Sequence, residues 1–167
     1  MLAPFISPRV QIVRCRVLGE DILFSVDQPK DHIQGHHLLG RFYEADELLI
    51  MSRAFPVGGR FLDIGANTGN HSIFFGKIMK ASYILPIEVN PRIMHILRSN
   101  IALNGLSEVC DLRHLGKGLH SEWTDSASIR FAEKNIGGAT GSRGGGALTL
   151  RRAGGILTQP LVLGEDG

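Results

Sequence analysis

Phe61-Leu62-Asp63-Ile64-Gly65-Ala66-Asn67-Thr68-Gly69-Asn70-His71 is the stretch that decides how this chain folds. A short apolar run ends in an acid, crosses Gly-x-Asn-x-Gly and opens into a helical pattern. Nineteen residues after Gly69, Glu88 closes a second apolar run and precedes Asn90-Pro91. Strand, glycine loop, helix, strand and acid in that order form the layout of a nucleoside-binding α/β unit. Gly65 and Gly69 allow a sharp turn and a close approach of backbone to ligand, where a Cβ would clash. A carboxylate at the tip of the second strand, here Glu88, can accept two hydrogen bonds from a ribose diol.

The spacing narrows the ligand. A dinucleotide fold uses Gly-x-Gly-x-x-Gly so that a pyrophosphate can sit on the helix N-terminus. Here the glycines stand four apart, Asn67 takes the middle position and Asp63 precedes the first glycine. That acid repels a phosphate and suits a cation. S-adenosylmethionine carries a sulfonium, an ammonium and an adenosine but no phosphate, so the loop favours this methyl donor over NAD. The expected cofactor set is Glu44, Asp63, Gly65, Ala66, Asn67, Gly69, Asn70, Glu88 and Val89. No residue is assigned as a catalytic base. His71, in the first turn of the helix, reads as a polar neighbour of the site rather than as that base.

Composition excludes several classes. The chain has 167 residues, enough for one domain with a real core. Its 43% hydrophobic and 20% charged residues are ordinary for a soluble globular protein. A net charge of +2 is too small to argue for nucleic acid or an anionic membrane, so no nucleic-acid partner is expected. No apolar run is long enough for a membrane span, and residues 1–10 lack the pattern of a signal peptide. The two cysteines, Cys15 and Cys110, lie far apart and read as reduced thiols of a cytoplasmic protein. His32, His36 and His37 have no Cys or carboxylate pattern nearby to complete a metal site, and read as solvated loop histidines.

Working outward, runs 10–17 and 21–26 are β-rich and flank Leu18-Gly19-Glu20, a hairpin. Residues 27–40 are polar. Residues 42–55 show the helical period and Pro56 stops them. The α/β unit then places a strand at 59–64, a helix at 69–80 and a strand at 83–89. Asn90 and Pro91 start a second helix, with Ile93, Leu97 and Ile101 as its buried stripe and Gly105 as its stop. Further strands are expected at 109–115 and 128–131. Pro86 conflicts with a central strand, and either a bulge or a different pairing is needed to accommodate it. Residues 137–146 contain six glycines and read as a flexible loop, with runs 147–152 and 156–163 as a hairpin beyond it. This divides the chain into a hairpin and linker (1–40), a cofactor-binding core (41–136) and a glycine-rich tail (137–167).

In these segments the chain resembles the FkbM-type methyltransferases, a branch of the class I S-adenosylmethionine-dependent enzymes. The likeness is carried by Gly40-Arg41-Phe42-Tyr43-Glu44, residues 61–75, 86–91 and 97–106, His114-Leu115-Gly116-Lys117-Gly118-Leu119 and Asn135-Ile136-Gly137-Gly138-Ala139. It covers residues 40 to 139. The resemblance implies a Rossmann-like, mostly parallel sheet with flanking helices and adenosylmethionine as cofactor. It also implies O-methylation of a sugar or other secondary-metabolite hydroxyl, so the expected partner is a small-molecule or glycan acceptor. Val89 stands where the family often has Pro. The family continues with a strand reading Lys-Ile-Asp-Val-Glu-Gly, which this sequence lacks. Distal strands of the fold are therefore expected to be missing and the activity weak. An exposed edge on the first strand would then favour self-association.

Overall fold

The computed structural model describes the backbone of residues 10–120, 127–131, 139–143 and 149–152, and the side chains of residues 10–118. Strands β1 (Gln11–Val17) and β2 (Glu20–Val26) form the antiparallel hairpin. Leu18 and Gly19 join them with φ of 49° and 85°, the doubly left-handed geometry that matches strand twist in a two-residue turn. β2 alternates, and Ile22, Phe24 and Val26 point into the core with no exposed surface.

The segment after the hairpin is not a polar loop. Asp31 caps a seven-residue helix, α1 (His32–Leu38), by accepting from the Ile33 and Gln34 N–H groups. Gln34 and His37 on this helix are buried. Helix α2 (Ala45–Ala54) begins three residues later than its apolar period suggests, because Phe42 leaves the helical path to pack edge-on against Phe24 and Phe74.

The α/β unit follows. Strand β3 (Arg60–Ile64) and strand β4 (Tyr83–Ile87) pair in parallel, with Leu62 opposite Leu85 and Asp63 opposite Pro86, and helix α3 (Asn70–Lys77) crosses between them. Ile84 of β4 packs into the main core, with Ile73, Phe74, Leu97 and Ile101. Leu85 and Ile87 pack on the opposite face with Leu62 and Tyr83. Burial on both faces is what a parallel strand requires.

Pro86 needs no bulge. On the side of β4 away from β3, Ile84 donates to Val109 O at 2.7 Å and accepts from Asp111 N–H at 2.8 Å. Two residues on, Pro86 turns its missing N–H to that same side, where the neighbouring chain has already left. The expected strand at 109–115 is thus one bridge, Ile84 to Cys110, followed by a 3-10 turn at Leu112–His114.

Helix α4 (Pro91–Leu103) starts as its sequence dictates, with Asn90 accepting from Arg92 N–H and Pro91 in the first turn. Its stripe of Ile93, Leu97 and Ile101 is buried. It also carries Asn100 and is followed by Asn104, one turn on, and the two bond the open edge of β2. Asn104 pairs both ways with Leu23, at 3.0 and 2.7 Å, and Asn100 Oδ1 accepts from Ser25 N–H at 2.6 Å. An edge strand is closed by side-chain amides where no partner strand exists.

Strand β5 (Lys117–His120) pairs in parallel with β8 (Thr149–Arg152), and β6 (Ala127–Phe131) pairs antiparallel with β7 (Ala139–Arg143). The glycine-rich stretch is therefore strand over Ala139–Arg143 rather than loop, since ladder hydrogen bonds come from the backbone and Gly141 supplies them opposite Ile129. Of the expected hairpin, Thr149–Arg152 pairs with β5, and run 156–163 lies outside the described residues.

Candidate cofactor site

A cleft of about 610 Å³ opens where β3 gives way to α3. Such a volume lies within the usual range for small-molecule sites. Its floor is Leu62, Asp63, Ile64, Gly65, Ala66 and Asn67, and its wall is Tyr43, Glu44, Asn70 and His71. Helix α1 contributes His32 and Ile33 at the rim. Of the nine expected cofactor residues, Glu44, Asp63, Gly65, Ala66, Asn67 and Asn70 line this cleft, whereas Gly69, Glu88 and Val89 do not.

The loop alternates left-handed residues, with φ of 75° at Gly65, 50° at Asn67 and 86° at Gly69. This winding turns its N–H groups inward. Gly65 and Ala66 both donate to Ile87 O at 2.8 and 3.0 Å, and Gly69 donates to Ala66 O at 2.7 Å. Asn67 donates to Glu88 Oε2 at 2.9 Å, and Thr68 to the Asn67 side chain at 2.8 Å. Every backbone donor from Gly65 to Gly69 is thereby engaged within the protein. The two glycines differ in what surrounds them. A Cβ at Gly69 would lie 2.7 Å from Leu97 Cδ1, whereas one at Gly65 would meet none of the described residues within 4 Å. Gly65 borders open space, as a ligand cradle would.

Glu88 is bonded to the backbone around it. Its Oε1 accepts from Val89 and Asn90 N–H at 2.8 and 2.7 Å, while Oε2 takes the Asn67 N–H. These three backbone bonds clamp the glycine loop onto the end of β4. The carboxylate is buried and turned into the protein.

Asp63 is the acid that faces the cleft. It is buried, and its Oδ2 accepts from Ser72 Oγ at 2.6 Å. Loss of solvation pushes its carboxyl above the usual range, against the opposite pull of the Ser72 hydroxyl and of His71. A cation in the cleft would relieve that penalty. Glu44 sits at the N-cap of α2 with φ of 55°, yet makes no cap bond. It turns instead toward His71, whose Nε2 lies 3.5 Å from Glu44 Oε2.

Asn70 is wholly committed. Its Oδ1 accepts from Tyr43 N–H at 2.9 Å and its Nδ2 donates to Tyr43 O at 2.9 Å. His37 Nε2 lies 3.0 Å from the same Oδ1. His37 is thus no solvated loop histidine: it is fully buried, its ring stacked on Phe24 at 4.1 Å between centroids. His32 and Tyr43 also escaped the sequence expectation as cleft residues: α1 brings His32 there, and the two-point bond with Asn70 holds Tyr43. Among the described residues no three His, Cys, Asp or Glu side chains converge as a metal site, and no helix is long and apolar enough to cross a membrane.

No known protein family and no curated protein matches the chain. Solved structures do. M. jannaschii TYW2 in complex with AdoMet aligns at 25% identity and a TM-score of 0.45, over 65% of this chain and 44% of that one. P. horikoshii TYW2 in complex with MeSAdo aligns at 20% identity and a TM-score of 0.42, over 64% and 36%. The complex of aTrm5 with tRNALeu aligns at 17% identity and a TM-score of 0.41, over 63% and 27%. The chain spans less than half the length of each. A tRNA complex among the matches overturns the exclusion of nucleic acid drawn from net charge.

Proposed function

We propose that the cleft binds S-adenosylmethionine and that the chain is the cofactor-binding unit of a methyltransferase. One observation carries this: a glycine loop with no N–H left to hold a phosphate stands beside a buried, cleft-facing carboxylate at Asp63. Such a floor disfavours the anionic bridge of a dinucleotide and favours a sulfonium or ammonium. The open space beside Gly65 leaves room for the ligand against the backbone.

The cofactor supplies an electrophilic methyl group on a positively charged sulfur. The chain supplies position: the floor holds the donor, and the Tyr43–Glu44 wall with His71 borders the side from which an acceptor enters. The FkbM-like segments favour a hydroxyl of a sugar or secondary metabolite as that acceptor. Two free thiols suit a cytoplasmic setting.

Calorimetry tests the cofactor. AdoMet and its demethylated product are expected to bind, and NAD to bind far more weakly. Preference for NAD, or no binding of AdoMet at pH 7.5, overturns the proposal. Asp63→Asn should weaken AdoMet more than the uncharged-sulfur product, because only the former carries the sulfonium charge.

A further inference from the structure

Asn70 joins the cleft wall to a buried residue behind it, His37. Its amide forms a two-point pair with the Tyr43 peptide, so the identities of its oxygen and nitrogen are settled by the backbone N–H and C=O they meet. His37 Nε2 must then be a donor to Asn70 Oδ1, so the neutral ring carries its proton on Nε2. Its Nδ1 is buried without a hydrogen-bond partner among the described residues. A proton arriving there would place a cation in a site built for a neutral ring. Around the ring, β2 offers the uncharged face of Phe24 and α3 the uncharged amide of Asn70, while Asp31, the cap of α1, favours a cation and His36 opposes one.

We propose that His37 is a positioning residue for the cleft: through Asn70 it fixes the Tyr43–Glu44 wall, so that a proton on its buried, unpartnered Nδ1 drives the ring out of its site, releases the wall and weakens cofactor binding. Tyr43 and Glu44 both line the cleft, and Glu44 has a left-handed backbone that only a held neighbour keeps in place. The coupling to AdoMet rests on the cofactor reading above, whereas the latch itself rests on the hydrogen bonds alone. Burial holds His37 down to about 4, while a released imidazole returns to roughly 6.5. Linkage between these values opens the latch about thirtyfold between pH 8 and pH 5.

Two readouts on the intact chain separate the possibilities. The first is the protection factor of the Tyr43 amide, corrected for intrinsic exchange, at pH 8 and pH 5. The second is the Kd for AdoMet by calorimetry at the same values. Wild type should lose Tyr43 protection about thirtyfold at pH 5, with AdoMet weakened severalfold. His37→Gln keeps a donor for Asn70 but cannot titrate, so both quantities should stay level with pH, although His32, His36 and His71 remain. His37→Phe keeps the stack on Phe24 and loses the donor, so protection should be low at both pH values. Tyr43 protection that ignores both pH and His37→Phe overturns the latch. The same pH response in His37→Gln as in wild type overturns it too. A latch that responds in a chain that binds no AdoMet at pH 8 overturns the cofactor reading and supports the latch.

Discussion

At the scale of single residues, the two glycines of the loop have different reasons to be glycine. Both are left-handed, which costs an alanine about 1–2 kcal/mol. Only Gly69 also faces a wall, since a Cβ added there would stand 2.7 Å from Leu97 Cδ1. Gly69→Ala should therefore lower stability by about 1–3 kcal/mol more than Gly65→Ala, measured by urea unfolding. Gly65→Ala should instead keep its fold and lose affinity for AdoMet, which calorimetry reads. Glu88 offers a second contrast. Removing its carboxylate orphans the N–H groups of Asn67, Val89 and Asn90. Since a hydrogen bond to a charged group contributes about 1.5–3 kcal/mol, Glu88→Ala should destabilise the protein by roughly 3 kcal/mol or more. Loss of AdoMet affinity at unchanged stability would instead support the ribose contact expected from sequence.

At the scale of elements, α4 does two jobs. Its apolar stripe fills the core, and the asparagines at and just past its C-terminal end hold β2 and the glycine loop together. Asn100 is the junction: it accepts from Ser25 N–H and donates to Thr68 O at 2.7 Å, bridging hairpin and loop. Asn100→Ala should leave two buried backbone groups unpaired, at about 1–3 kcal/mol each. Asn104→Ala should cost less, because the Leu23 groups it serves are only partly buried. Unfolding midpoints of the two variants check the order. Loss of hairpin amide protection in Asn100→Ala, with α4 retained, would show which contact is responsible. The hairpin itself was legible from alternation and a Leu-Gly turn, and α4 from its cap and stripe. Its attachment was not legible, because Asn at positions 100 and 104 gives no periodic signal until β2 lies alongside.

At the scale of the whole molecule, acid should weaken the fold through His37. Its folded value of about 4 lies below the ordinary 6.5 because burial disfavours the charged ring. Between those values the unfolded chain binds the proton and the folded one does not, so stability rises with pH in that window. The contribution is complete above about pH 6.5 and is lost as pH falls toward 4, totalling roughly 3 kcal/mol. Urea unfolding at pH 7.5, 5.5 and 4.5 should show wild type losing more stability than His37→Gln. Equal losses would assign the acid sensitivity to other groups.

The α/β unit was determined locally. Apolar runs, glycine spacing, the Asn90–Pro91 start and the acid at each strand end all act within a few residues of where they stand, so β3, α3, β4 and α4 could be read in order. The acid on which the proposed preference for a cationic cofactor rests was also legible, at Asp63. What the tertiary structure decided is where the polar side chains spend their hydrogen bonds. Glu88 turns inward because the winding of Gly65–Gly69 brings the Asn67 N–H to it. The polar segment after the hairpin becomes a helix because Asp31 caps it and Phe24 gives His37 a ring to stack on. Pro86 is tolerated because the neighbouring chain leaves at Asp111. Most of these outcomes depend on a partner a dozen or more residues away in sequence, and hydrogen-bond choice among such partners is settled only when packing has excluded water.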